Sequence, residues 1–250
     1  MSTVHLTRAS GLAYVPPVSL AVRGFVRPRA IPLLSLTGRD GAVVPGRVTL
    51  EPRRGTLEGT LRAATFAGAE TLRDELLAAL NDAPLQLRLG GAGTRFVTVW
   101  PESIEDTLTE WPSWPRFSIP LVAPDPYWYA HTETLTDLPA ASQVVTNAGN
   151  AIVEPVIRVV GGTGGASAIS VSNTTTGQTV TFSGTVASGQ VLLINGSRRT
   201  VTRAGVGVLT LMNQAFRTGG LRLAPGANTI TRAFTGEITT FRLEYRARWL

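Results

Sequence analysis

Apolar and polar residues alternate with a period of two along most of this chain, the rhythm of half-buried strands. Phe117, Ile119 and Leu121 mark one such strand at 116–122, and 85–89 and 95–100 mark two more on either side of Gly90-Gly91-Ala92-Gly93-Thr94. That glycine stretch joins strand to strand and lacks the Lys-Ser/Thr pair of a phosphate-binding loop, so it is expected to be a hairpin loop. Segments 46–50 and 56–62 alternate as well, and Pro52-Arg53-Arg54-Gly55 between them is expected to be a hairpin tip. The strands 95–100 and 116–122 are expected to lie at sheet edges. One segment breaks the rhythm. Leu72, Leu76 and Leu80, with Leu77 beside them, recur at helical spacing and predict a helix near 69–81. Glu70, Asp74 and Glu75 crowd its first half, where the positive end of the helix dipole favours acids. No strong cap marks its start, and Pro84 ends it.

The second half has a different texture. Short β-branched runs, separated by Gly, Ser and Thr, recur at the interval of a β-sandwich. The predicted strands are 143–147, 155–160, 168–173, 179–182, 190–195, 199–203, 229–234 and 240–249. Gly161-Gly162-Thr163-Gly164-Gly165 is expected to be a hairpin loop, and Asn195-Gly196 a tight two-residue hairpin. Pro225-Gly226 should turn the chain into the strand at 229. In the last strand Phe241, Leu243, Tyr245, Ala247 and Trp249 should face the core, and Arg242, Glu244, Arg246 and Arg248 the other side. That arginine face is either solvated or turned toward a partner.

Composition narrows the chemistry. The 250 residues contain no cysteine, which excludes disulfides and thiolate metal sites. Neither an apolar run of membrane-spanning length nor a secretory leader is expected from the pattern. All 23 basic residues are arginine, and they are unevenly spread. Residues 1–137 hold 13 Arg against 14 acids, net −1, whereas 138–250 hold 10 Arg against 3 acids, net +7. The second half should therefore attract an acidic partner. The arginines lack interleaved aromatics to stack bases, so no specific nucleic-acid binding is expected. The two histidines, His5 and His131, are too few and too far apart in sequence to suggest a metal site. The acids Glu102, Glu105, Asp106 and Glu110 read as a solvated loop rather than a hydrolytic pair. Trp111 and Trp114, flanked by prolines, are candidates for subunit contact or for covering a sheet edge.

One stretch organises the rest. After the strand at 116–122 come Pro124, Asp125 and Pro126, which force an extended exit, and then Tyr127, Trp128 and Tyr129. A stiff exit followed by aromatic anchors suits a chain leaving one domain and locking against the next, so Pro124, Asp125, Pro126, Tyr127, Trp128 and Tyr129 are the candidate interdomain anchors.

The order of motifs is similar to that of the distal tail proteins of long-tailed, siphovirus-like phages. The pieces that carry the resemblance are Ala123 to Tyr129, Asn147-Ala148-Gly149, Glu154 to Gly161, and Leu223-Ala224-Pro225-Gly226-Ala227-Asn228. The resemblance implies a mainly β chain of two domains. Residues 1–134 would be a ring-forming belt domain with the helix near 69–81, and residues 135–250 a galectin-like antiparallel β-sandwich. It implies a structural virion protein of the tail tip, made in the bacterial host cytoplasm and neither an enzyme nor a cofactor or metal carrier. The protein would form a homo-hexameric ring between tail tube and tape measure protein on one side and baseplate hub protein on the other. The other reading is a carbohydrate-binding module for host-surface adhesion. Sugar-binding galectins use a His, Arg, Asn, Trp and Glu cluster, and this chain's second half has no His beyond 131.

Overall fold

The computed structural model describes residues 4–7, 13–14, 20–23, 25, 29–30, 34–35, 42–43, 49–61, 63–89, 94–103, 105–106 and 116–250. The chain divides into two units, Met1–Trp128 and Tyr129–Leu250. Both are built mainly of antiparallel strands, as the alternation requires.

In the first unit, seven strands pair in the spatial order Ala13–Tyr14, Val4–Thr7, Leu85–Leu89, Arg95–Pro101, Arg116–Ala123, Arg53–Thr60, Leu20–Arg23. The single long helix, Phe66–Asn81, buries Leu76 and Leu80 in one cluster with Leu6, Leu57, Leu85, Leu87, Val97 and Ile119. The expected apolar stripe is thus the buried one, and each such leucine contributes about 2 kcal/mol by leaving water. The helix begins three residues earlier than the stripe implied. Thr65 caps it, its hydroxyl accepting from Gly68 N at 3.1 Å. With that start, Glu70, Asp74 and Glu75 fall beyond the first turn, so the expected dipole benefit is not realised there.

Two other expectations in this unit are overturned. Pro52–Gly55 is no hairpin tip. Thr49–Leu50 pairs with Arg29–Ala30, and Arg53 through Gly55 already belong to the strand Arg53–Thr60. Gly55 lets that strand pass beneath Phe25, where a Cβ would lie 2.1 Å from the ring and 2.8 Å from the Arg23 carbonyl. The strands Arg95–Pro101 and Arg116–Ala123 are not edges either. Each has a partner on both sides, and the sheet ends among the described residues at Ala13–Tyr14 and Leu20–Arg23. Leu85–Leu89 and Arg95–Pro101 are antiparallel neighbours, as a hairpin needs, while Gly90–Gly93 lie outside the described residues.

The second unit is an antiparallel sandwich organised by two long strands, Val156–Asn173 and Gly226–Tyr245. They pair along most of their length, and the pairing slips near Gly161 and again near Ser167. Before the slip, Val156–Val160 pairs with Val191–Asn195 as its other neighbour; after it, Ala166–Asn173 pairs with Gln178–Val186. The same two strands therefore serve both layers, with Ile157, Val159, Ile169, Val171, Phe182, Ile194, Ile230 and Leu243 in one core.

The expected hairpin loop at Gly161–Gly165 is thus corrected to a bend within a continuous strand. Its glycines are needed for a different reason. A Cβ on Gly161 would lie 2.3 Å from the Ala187 carbonyl oxygen, and Gly165 has φ +79°. Likewise 229–234 and 240–249 are not separate strands. One strand runs Gly226–Tyr245, and a short Arg248–Trp249 follows. Phe241, Leu243, Tyr245 and Ala247 are buried as expected, but Trp249 is only half-buried, because the strand breaks after Tyr245.

Asn195-Gly196 does not form a two-residue hairpin. Asn195 pairs with Thr200, so four residues connect the strands. The Asn195 carboxamide oxygen accepts from Arg198 N at 2.9 Å and from the Ser197 hydroxyl at 3.0 Å, and the positive φ falls on Arg199. A five-residue helix, Gln214–Thr218, escaped the periodicity, being too short to show one. Its signal was the cap: the Asn213 Oδ1 accepts from Phe216 N at 3.2 Å.

Candidate functional site

The junction stretch is fastened at both ends by arginines. Pro124 and Asp125 are exposed, and the Asp125 carboxylate accepts from Tyr127 N at 3.2 Å, shaping the turn that leaves the strand. Pro126, Tyr127, Trp128 and Tyr129 are half-buried, and Trp128–Ala130 is extended, which sends successive side chains to opposite faces. Within the first unit, Trp128 packs on the core, its ring centroid 6.4 Å from that of Phe25. Arg53, only 4% exposed, donates from Nε to the Pro126 carbonyl in a short bond and from Nη1 to the Phe25 carbonyl at 3.4 Å. A guanidinium so deeply buried is tolerated because it donates to oxygens fixed in place. Within the second unit, Ala130 N donates to the Ala247 carbonyl at 2.9 Å, and Arg246 donates to the Ala130 and His131 carbonyls. Trp111 and Trp114 lie outside the described residues.

Each residue on the arginine face of the last strand is half-buried and has a partner within the chain. Arg242 grips Asp137, Glu244 accepts from Arg158 at 2.5 Å, Arg246 holds the junction carbonyls, and Arg248 donates to the Ile152 carbonyl. Alternation revealed which side these residues take, but not that Arg246 and Arg248 bind backbone.

Three buried asparagines hold the loops at one end of the sandwich. Asn228, fully buried, uses its whole hydrogen-bonding capacity. Its Oδ1 accepts from Ala224 N at 2.8 Å and from Asn173 Nδ2 at 2.9 Å, while Nδ2 donates to the Ala224 and Gly226 carbonyls at 2.8 and 3.0 Å. Asn173, also fully buried, adds a donation to the Arg222 carbonyl at 2.6 Å. Asn147 donates to the Ala151 carbonyl at 2.9 Å and the Leu223 carbonyl at 3.3 Å, and its Oδ1 accepts from Gly149 N at 3.0 Å. Glu154 closes the set, 3.3 Å from both Arg199 and Arg222. The short motifs at 147–149, 154–161 and 223–228 are therefore one fastening of loops from distant parts of the chain. Asn173 belonged to no motif, and only its partners reveal it.

Gly149 sits where the chain end crosses: a Cβ there would lie 2.2 Å from the Arg248 carbonyl oxygen and 2.7 Å from its nitrogen. Gly149→Ala is accordingly expected to cost about 1–3 kcal/mol, because the obstructing atoms are backbone. Hydrogen exchange should show faster exchange at Ala151, whose N–H bonds the Arg248 carbonyl at 3.2 Å.

The acids considered for hydrolysis are otherwise engaged or lie outside the described residues. Glu102 bonds Arg54 at 2.6 Å, and Glu105–Asp106 pairs as a short strand with Phe117 and Ser118. Glu110 is outside them. Among the described residues, no three His, Asp or Glu gather into a group able to hold a metal ion, and no helix is long and apolar enough to cross a membrane.

Residues 148–249 match the model of the siphovirus-type tail component, C-terminal domain. Comparison with curated proteins finds no match. Among solved structures, the whole chain is similar to the crystal structure of the SPP1 Dit protein, described as a paradigm of the hub adsorption apparatus in phages that infect Gram-positive bacteria. The TM-score is 0.77 at 18% identity, with 100% of each chain covered. It is also similar to chains of the phage p2 baseplate in its activated conformation. With strontium the TM-score is 0.53, with calcium 0.54, each at 8% identity and covering 98% of both chains. At these identities the structural likeness speaks for the fold, and the family model speaks for the second unit. Together they give the whole chain the two-unit, β-rich fold of these structures and liken residues 148–249 to a siphovirus-type tail component. The resemblance to distal tail proteins drawn from the motifs agrees with both.

Proposed function

We propose that this protein is a distal tail protein that assembles into a homo-hexameric ring at the tail tip, between tail tube and tape measure protein on one side and the baseplate hub on the other. The observation that carries the reading is the likeness to SPP1 Dit over the full length of both chains. Residues 1–134 line the ring and make its contacts, which must be head-to-tail, since isologous contacts would stop at a dimer. The strands Ala13–Tyr14 and Leu20–Arg23, which end the sheet among the described residues, together with Trp111 and Trp114, are the material for those contacts. Residues 135–250 sit at the periphery, where the excess of arginine over acids keeps copies apart. Pro124–Tyr129 is the stiff anchor between the two. The protein acts by holding others in place and catalyses nothing.

Mass measurement in solution tests the division of labour. Residues 1–134 are expected to oligomerise at high concentration, and residues 135–250 to remain monomeric. The opposite outcome reverses the roles and defeats the proposal.

A further inference from the structure

A cleft of about 360 Å³ opens in the second unit, with Leu138 and Phe241 buried at its base and Asp137, Arg232, Thr240 and Arg242 around it. Its two arginines are in opposite electrostatic states. Arg242 is satisfied: it grips Asp137 through two bonds, Nε to Oδ1 at 2.7 Å and Nη2 to Oδ2 at 3.1 Å. Hydrogen bonding from Arg242 holds the Asp137 carboxyl below its usual range. Arg232 meets no carboxylate among the described residues. Its Nε donates to the Ala140 carbonyl at 3.0 Å and its Nη2 to the Pro139 carbonyl, while its Cζ lies 5.1 Å from the Phe234 ring centre and 5.3 Å from that of Phe241. Two carbonyls and two rings hold the fork in place, and burial pushes its pKa down. No protein acceptor meets its Nη1 among the described residues.

We propose that this cleft receives a carboxylate side chain from an acidic stretch of a partner protein, with Arg232 as its receptor. A guanidinium recognises a planar carboxylate through paired donors, and here the fork is already rigid. The volume lies at the small end of ligand sites, suited to one or two side chains rather than a polyanion. An acidic sugar fits less well. Phe241 is 4% exposed and Phe234 carries the guanidinium over its ring, so no open aromatic face remains for a pyranose. The surrounding charge agrees: the unit 129–250, Asp137 included, holds 10 Arg against 5 acids, net +5, which draws an acidic partner in. The proposal does not depend on ring assembly, because the cleft lies within one unit of one chain.

The test is a titration of the full-length, isotope-labelled protein with a hexaglutamate peptide, followed by NMR at the Arg232 Nε–H and the amides of 239–242. Hexaglutamate should give saturable shifts confined to the cleft, and hexaglutamine none. Arg232→Gln should weaken binding by about tenfold or more, as expected for a lost charge-assisted pair. Arg198→Gln, which removes the same charge at an exposed position, should change it by less than about twofold. Tighter binding of glucuronate than of hexaglutamate would assign the cleft to sugars and overturn the proposal. So would shifts scattered over the arginines, or an equal loss in the two variants. If Arg232→Gln fails to fold, the wild-type titration decides alone: cleft-confined saturation supports the proposal, and its absence ends it.

Discussion

Replacing Asn228 by alanine is expected to destabilise the second unit by about 3 kcal/mol, because one truncation strips partners from four polar groups. Ala224 loses the partner of both its N–H and its carbonyl, Gly226 loses one for its carbonyl, and the Asn173 Nδ2 group keeps only the Arg222 carbonyl. Each buried polar group left unmatched costs about 1–3 kcal/mol, and water will reach the half-buried Ala224 and the exposed Gly226, so the sum stays well below four full penalties. Asn228→Asp should not restore stability, since it removes the Nδ2 donor and buries a charge. Chemical denaturation of the full chain, followed by a signal from residues 129–250, measures the loss. A change below about 1 kcal/mol would mean that the loop is hydrated and that the asparagines do not act as one fastening.

Truncating Phe182 to alanine should cost a comparable amount, about 3–5 kcal/mol, for a different reason. The ring is fully buried on the inner side of Gln178–Val186, opposite Ile169, with Met212 bridged to its backbone. It lies over Gly184, where a Cβ would come 2.6 Å from the ring and 2.7 Å from Leu211. Removing the ring leaves a cavity that its neighbours cannot fill, because backbone bonds hold them. Asn213 N donates to the Thr181 carbonyl at 3.0 Å, Asn213 Nδ2 to the Thr179 carbonyl at 3.1 Å, and the Ser183 hydroxyl to the Leu211 carbonyl at 3.0 Å. These bonds also cover the free edge of that strand, which would otherwise be open to pairing. Hydrogen exchange should therefore quicken at 211–216 in Phe182→Ala. Unchanged protection there would show that the covering segment is held independently of the core.

Much of the fold was legible because it depends on neighbours in sequence. Alternation located the strands at 85–89, 95–100 and 116–122, and helical spacing located the helix. Both periods follow from where consecutive side chains point. That the strand stops at Pro124 was readable for the same reason, since a proline constrains its own φ and the residue before it, although the chain bends at 124–125 instead of leaving extended. The four motifs carried the resemblance without explaining it.

What tertiary structure decided is where distant segments meet. Gly161–Gly165 has every local mark of a turn, yet the strand runs through it. The pairing of Val156–Asn173 with Gly226–Tyr245 outweighs the local preference, and the glycines admit the Ala187 and Val186 carbonyls. Arg53 read as the exposed tip of a hairpin. It is buried because the Pro126 carbonyl, 73 residues away, comes to meet it. Asn173 looked like one polar residue at a strand end until the Arg222 carbonyl, 49 residues on, and Asn228, 55 residues on, gave it a role. Local pattern specifies what each segment can become, while buried hydrogen bonds are specified only by the pair. Half of each such pair is invisible until the chain has folded.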